Sequence, residues 1–124
     1  MGNYFQKEIE CASADQIRAW QNERLVKQVK NIYDNVPYYR TRMQNKGLEP
    51  GDIKSIDDLH KLPFITKDDL RDAYPYGLLA RPLKDCVRMQ STSGTTGRRV
   101  VAFYTQHDLD LWEDCCARAI VAAG

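Results

Sequence analysis

The residues best suited to chemistry in this chain form one polar string, Ser91-Thr92-Ser93-Gly94-Thr95-Thr96-Gly97-Arg98-Arg99. Positions 91–97 all carry a hydroxyl or are glycine, and two arginines follow. Short Ser and Thr hydroxyls donate hydrogen bonds, and glycine lets the backbone take positive φ and present its N–H groups at close range. A concave run of such donors receives phosphate oxygens, and arginine adds charge-assisted contacts. The same string also fits a polar hairpin turn that binds nothing, so its surroundings must decide.

Two familiar phosphate loops do not fit. The loop of nucleotide hydrolases needs G-x-x-x-x-G-K-[ST] between a strand and a helix. Here Gly94 and Gly97 are three apart, Arg98 is followed by Arg99, and the next element reads as a strand. The dinucleotide fingerprint G-x-G-x-x-G is absent as well. What remains is a strand–loop–strand device able to close over phosphates.

The elements that must position this loop follow from periodicity and punctuation. Cys86-Val87-Arg88-Met89-Gln90 alternates apolar and polar residues and reads as a strand; Val100-Val101-Ala102-Phe103-Tyr104 reads as its apolar, β-branched partner. Four capping boxes announce helices: Ser13 to Gln16, Ser55 to Asp58, Thr66 to Asp69 and Thr105 to Asp108. The first opens a helix over 13–36 with Ile17, Trp20, Leu25, Val29, Ile32, Tyr33 and Val36 on one broad face, ended by Pro37. A short helix follows from Tyr38 to Asn45, stopped at Lys46-Gly47. Tyr38 and Tyr39 there are expected to pack against the first helix rather than line a pocket.

The next two boxes open helices carrying Leu59 and Leu62, then Leu70, Ala73 and Tyr74, which stop at Pro63 and Pro75. Residues 77–82 read as an irregular apolar segment passing over the core. The final helix has Leu109, Trp112, Cys116, Ala119, Ile120 and Ala123 as its expected buried stripe. The expected fold is thus a mostly helical α+β arrangement of the α/β class, with one antiparallel hairpin around the loop. The division expected is a helical region over 1–84 and a strand–loop–strand–helix unit over 85–124.

Composition narrows the function. At 124 residues and 43% apolar content, a single packed unit is expected, and wholesale disorder is not. The formal net charge of +1, with cations and acids interleaved, disfavours a nucleic-acid partner. No apolar run approaches membrane-spanning length. The N-terminus lacks a secretory signal, and Gln6 stands where a myristoylation signal needs Ser or Thr, so a cytoplasmic location is expected. Cys11, Cys86, Cys115 and Cys116 form no CxxC pair, and His60 and His107 lie at no ligand spacing; reduced structural thiols are expected, and no metal site.

Thr92-Ser93-Gly94-Thr95-Thr96-Gly97 resembles the phosphate loop of the adenylate-forming enzymes. Asn35-Val36-Pro37-Tyr38-Tyr39-Arg40 resembles the opening of the phenylacetate–CoA ligases within that superfamily. The run from Leu62-Pro63-Phe64-Ile65-Thr66-Lys67-Asp68-Asp69 through Gly77 is similar too, as is Phe103-Tyr104-Thr105-Gln106-His107-Asp108-Leu109. The resemblance spans nearly the whole chain in family order.

It implies an AMP-forming acid–CoA ligase. A carboxylate attacks the α-phosphate of ATP to give an acyl-adenylate and pyrophosphate, and coenzyme A thiol then displaces AMP. Thr92, Ser93, Gly94, Thr95, Thr96, Gly97 and Arg98 would hold the ATP phosphates. Arg98 stands where many members have Lys, and Arg99 where Pro is usual. Mg2+, ATP and coenzyme A are the implied cofactors and co-substrates, with an aryl carboxylic acid as substrate. The acid supporting magnesium, the ribose-binding Asp and the mobile Lys of the family have no counterpart here. The resemblance therefore implies an N-terminal piece, inactive alone, whose partner is the remainder of such a ligase and whose uncovered apolar faces favour self-association, up to a homodimer. The alternative expectation is a stand-alone, non-catalytic helical interaction or nucleotide-binding module that keeps the loop as a relic.

Overall fold

The computed structural model describes residues 3–94, 97 and 99–124. Five α-helices and one two-stranded sheet run in the order α1 (Lys7–Glu10), α2 (Ala14–Asn35), α3 (Pro37–Asn45), α4 (Lys67–Asp72), β1 (Cys86–Ser91), β2 (Val101–Thr105) and α5 (Gln106–Ala123). Short 3-10 turns occupy Pro50–Asp52, Ile56–Lys61 and Leu83–Asp85. No helix among the described residues is long and apolar enough to cross a membrane.

All four capping boxes form as spelled, each hydroxyl residue at the N-cap and its partner three residues on. The expected helix after Ser55 is a 3-10 helix rather than an α-helix. It spans Ile56–Lys61 and ends just before Pro63, in the short length at which 3-10 geometry is common. One element escaped the sequence reading: α1, whose entry is tied by Glu10 accepting from the backbone N–H groups of Phe5 and Gln6 at 3.0 and 2.7 Å. Gln6 also donates to Asp114 at 3.0 Å, which fastens this first turn to α5.

The core lies where α2 meets α3. Val29, Val36, Tyr39, Met43 and Ile53 are buried, and Leu25, Ile32, Tyr33, Leu62, Leu78 and Ala80 pack around them. Pro37 serves two ends at once: it stops α2 and occupies the first turn of α3, where its missing N–H has no partner to lose. The sharp reversal brings Tyr39 and Met43, one turn apart on α3, onto the buried face of α2. Leu78 and Ala80 confirm that the irregular segment after α4 crosses this core.

A second tie holds α4 to α3. Asp69 pairs with Arg42 and accepts from the Tyr38 hydroxyl at 2.8 Å, while its other oxygen accepts from the Thr66 N–H and hydroxyl at 2.7 and 2.8 Å. Arg42 lies over the Tyr38 ring, 5.1 Å from its centre, and donates to the Phe64 carbonyl at 2.9 Å. Tyr39 is buried as expected, with its hydroxyl donating to the Pro63 carbonyl at 3.1 Å. Tyr38 is only half-buried and borders a surface cleft with Tyr76 and Leu79.

The expected burial of the α5 stripe is not met. Leu109 is half-buried, but Trp112, Cys116, Ala119, Ile120 and Ala123 are exposed, Ile120 to 71%. The apolar face exists as the period dictates; β2 lies against it through Tyr104 and Trp112, whose ring centres are 5.6 Å apart. Cys11 and Cys115 are likewise exposed. Periodicity specifies a face, not the surface that covers it.

Two predictions follow from these contacts. Met43→Ala removes a fully buried side chain and should cost about 2–5 kcal/mol of stability, read from denaturant unfolding. Asp69 is held down to about 2, first by the Thr66 backbone N–H, then by the Tyr38 and Thr66 hydroxyls, with the Arg42 charge contributing less. A carboxyl depressed in the folded state stabilises above its unfolded value, and that contribution fades as pH falls from about 4 to about 2. Asp69→Asn should lower the melting temperature at pH 7 and flatten its fall between pH 5 and 2, both measured by circular dichroism.

Candidate functional site

The loop is carried by an antiparallel pair in which Met89 opposes Phe103, Gln90 opposes Ala102 and Ser91 opposes Val101. Two residues of β1 are spanned between Cys86 and Arg88 while β2 advances only from Thr105 to Tyr104. Val87 is therefore the extra residue of a bulge, which locally increases strand twist. Every residue of β2 is half-buried, whereas β1 is exposed beyond Cys86. Phe103 meets the Tyr76 ring at 5.6 Å, so β2 is the strand held against the body.

The pairing continues into the loop by a reciprocal closure. The Thr92 N–H donates to the Val100 carbonyl at 3.0 Å, and the Val100 N–H donates to the Thr92 hydroxyl at 3.1 Å. The Thr92 hydroxyl oxygen is the acceptor in this closure, and its own O–H is not used by it. Ser93 is exposed and makes no hydrogen bond among the described residues. Gly94 and Gly97 have φ of +71° and +131°, conformations that side-chain-bearing residues rarely adopt, and the Gly97 N–H donates to the Gly94 carbonyl at 3.3 Å. The sequence predicted Thr95, Thr96 and Arg98 for this site; these three lie outside the described residues.

Arg99, absent from the predicted set, is the residue that meets the loop. A Cβ built on Gly94 would lie 2.8 Å from Arg99 Cγ, 3.4 Å from its Nε and 3.2 Å from the Gly97 carbonyl oxygen. The arginine stem thus occupies the space that the missing side chain of Gly94 leaves. Two adjacent arginines were the only sequence signal for this.

Below the hairpin a cleft of about 780 Å³ opens between β2 and the helical layer, with Asn31, Tyr74, Arg81, Cys86, His107 and Asp108 on its walls. None of the described residues between 91 and 99 lines it. Asp108 there caps α5: its carboxylate accepts from the Thr105 N–H and hydroxyl, both at 2.8 Å. Those bonds, chiefly the one from the backbone, hold it below the usual carboxylate range, with His107 and Arg81 adding smaller electrostatic help. Its role is to fix the turn from β2 into α5. Among the described residues no cluster of three His, Cys, Asp or Glu side chains is placed to hold a metal.

Gly94→Ala should lower stability by about 1–2 kcal/mol through the left-handed backbone alone, with a further cost because Arg99 must move. Combining it with Arg99→Ala should shrink the penalty toward the backbone part, a coupling that a double-mutant cycle of unfolding free energies would measure. Equal penalties in both backgrounds would mean that the arginine stem does not pack on Gly94.

No protein-family model matches the chain. Among curated proteins it is 48% identical over 116 residues to the phenylacetate-coenzyme A ligase of Pseudomonas putida, covering 94% of this chain and 26% of that protein. The ligase of the same name from Escherichia coli strain K12 is 45% identical over the same length and shares. That of Thermus thermophilus is 40% identical over 120 residues, covering 97% of this chain and 27% of that protein. Among solved structures, 2-hydroxyisobutyryl-CoA ligase in complex with 2-HIB-AMP and CoA, in its thioesterification state, superposes with a TM-score of 0.84 at 25% identity, over 95% of this chain and 26% of that one. The chain spans about a quarter of the length of the relatives it matches. The resemblance read from the motifs holds: along almost all of its length this chain is homologous to phenylacetate-coenzyme A ligases, and its fold is that of the N-terminal part of an adenylate-forming CoA ligase.

Proposed function

We propose that this chain works as the N-terminal part of an ATP-dependent arylacetate–CoA ligase, phenylacetate being the first candidate acid, and that its hairpin loop holds the phosphates of ATP. The observation that carries the reading is the 48% identity over 116 residues to a phenylacetate-coenzyme A ligase, through the loop itself. In that reaction the substrate carboxylate attacks the α-phosphorus of ATP, pyrophosphate leaves with its negative charge, and the thiol of coenzyme A then displaces AMP to give the thioester.

The contribution of this chain is electrostatic. Charge grows on the leaving pyrophosphate, and donors fixed beforehand around it lower the barrier. Ser93, the backbone of Gly94 and Gly97, and with them Thr95, Thr96 and Arg98, are the proposed phosphate-binding set. Thr92 belongs to this set as well: its oxygen accepts the bond that closes the hairpin, and its O–H is left to donate. None of residues 91–99 is a carboxylate, so this stretch offers a magnesium ion bound with ATP no charged ligand of its own. We take residues 85–124 as the start of the AMP-binding region, residues 1–84 as the helical layer that supports it, and the cytoplasm as its place of work.

A graft tests this directly. With this chain exchanged for the matching 116 residues of the Pseudomonas putida ligase, ATP, magnesium, coenzyme A and phenylacetate should yield AMP and a thioester. Changing Ser93, Thr95 and Thr96 together to alanine should then lower kcat/KM for ATP by about 100-fold or more, on the scale of lost preorganised donors. Full turnover in the triple variant would remove the loop from the mechanism. The self-contained core around α2 and α3 favours a second reading, a non-catalytic binding module; nucleotide binding without turnover in a folded graft would select it.

A further inference from the structure

We propose that Arg99 is a phosphate-binding residue of the loop, its guanidinium taking the terminal phosphates of a nucleoside triphosphate from beside Gly94. This rests on the reading of the loop as a phosphate site and assigns the residue that sets its preference for polyphosphate over a single phosphate.

The placement comes first. Arg99 directly precedes Val100, whose N–H and carbonyl are both bonded to Thr92, so the arginine leaves a fixed point at the base of the hairpin. From there its stem doubles back over Gly94, with Cγ and Nε 2.8 and 3.4 Å from the position a Cβ would take. The backbone at Gly94 tolerates this approach only because it has no side chain. An arginine with its base and stem both held loses less freedom on gripping a ligand than one waving from a surface strand.

Charge comes second. Arg18, Arg42, Lys61 and Arg71 each sit in an ion pair, with Asp57, Asp69, Asp58 and Asp68 respectively. Arg99 belongs to none of the ion pairs formed among the described residues, and it is exposed. Its guanidinium is a permanent cation whose planar fork matches two oxygens of a phosphate. It stands beside a turn whose two glycines carry positive φ and whose exposed Ser93 hydroxyl makes no hydrogen bond among the described residues. A ligand with several negative charges satisfies all three at once, whereas AMP, with one phosphate, does not.

The test is a titration of the 124-residue chain with inorganic tripolyphosphate and with AMP, following the amide resonances of Gly94 and Gly97 by NMR at two salt concentrations. Tripolyphosphate should move both amides of the wild-type chain. Arg99→Met keeps the stem that packs on Gly94 and removes only the charge. It should leave the unliganded amide positions near wild type, weaken tripolyphosphate about tenfold or more, flatten the salt dependence and change AMP binding little. Arg99→Lys should recover part of the affinity, since it restores charge without the fork. If Arg99→Met binds tripolyphosphate as tightly as wild type with the same salt dependence, the inference is overturned while the loop reading stands. If wild-type Gly94 and Gly97 do not respond to tripolyphosphate at all, the loop reading itself fails and takes the inference with it.

Discussion

Met43, Ile53 and Val29 exclude water from the seam between α2 and α3, and every other element is placed by reference to that seam. Leu78 and Ala80 lie on its outer side and lead the chain from the helical layer toward β1. Tyr76, just before them, meets Phe103 on β2 and so sets the height of the hairpin over the helices. A small apolar core thus acts at a distance on the loop: it fixes where the strands start, and the strands fix where the hydroxyls stand. With so few side chains fully buried, no single contact in that sequence is redundant.

The loop solves a problem of geometry as much as of charge. Seven hydroxyl and glycine positions would form a floppy coil if the ends were not clamped, because none of these residues packs well. The clamp is the Thr92–Val100 exchange of two hydrogen bonds, the last rung of the ladder with a side chain standing in for one carbonyl. Inside it, Gly94 bends the chain into the left-handed region and clears the room that Arg99 fills. An arginine stem lying on a glycine is a source of stiffness by packing.

Much of this was legible from the order of residues, and the reason is locality. A capping box is decided by two side chains three residues apart, and all four formed. Strand positions were right to within one residue, because alternation and β-branching are local as well. What was not legible depends on distant surfaces. The Tyr38–Asp69 bond joins residues 31 apart, and no periodicity announces it. The stripe of α5 was drawn correctly as a pattern and wrongly as a buried face, since Trp112 stays exposed despite its contact with Tyr104 and Ile120 is exposed to 71%. Arg99 was read as a cation of the string and as a departure from proline, but a one-dimensional comparison cannot show a side chain turning back over a glycine five residues earlier.

The box that opens α2 differs from the other three in one atom type. Gln16 closes it with an amide, whereas Asp58, Asp69 and Asp108 close theirs with carboxylates. An amide keeps its hydrogen bonds at any acidity, so the helix that bears the core owes its start to a group that never titrates. Acid strong enough to bring the pH toward 2 would therefore strip the molecule from its rim inward, fraying α4 and the start of α5 while the start of α2 keeps its cap.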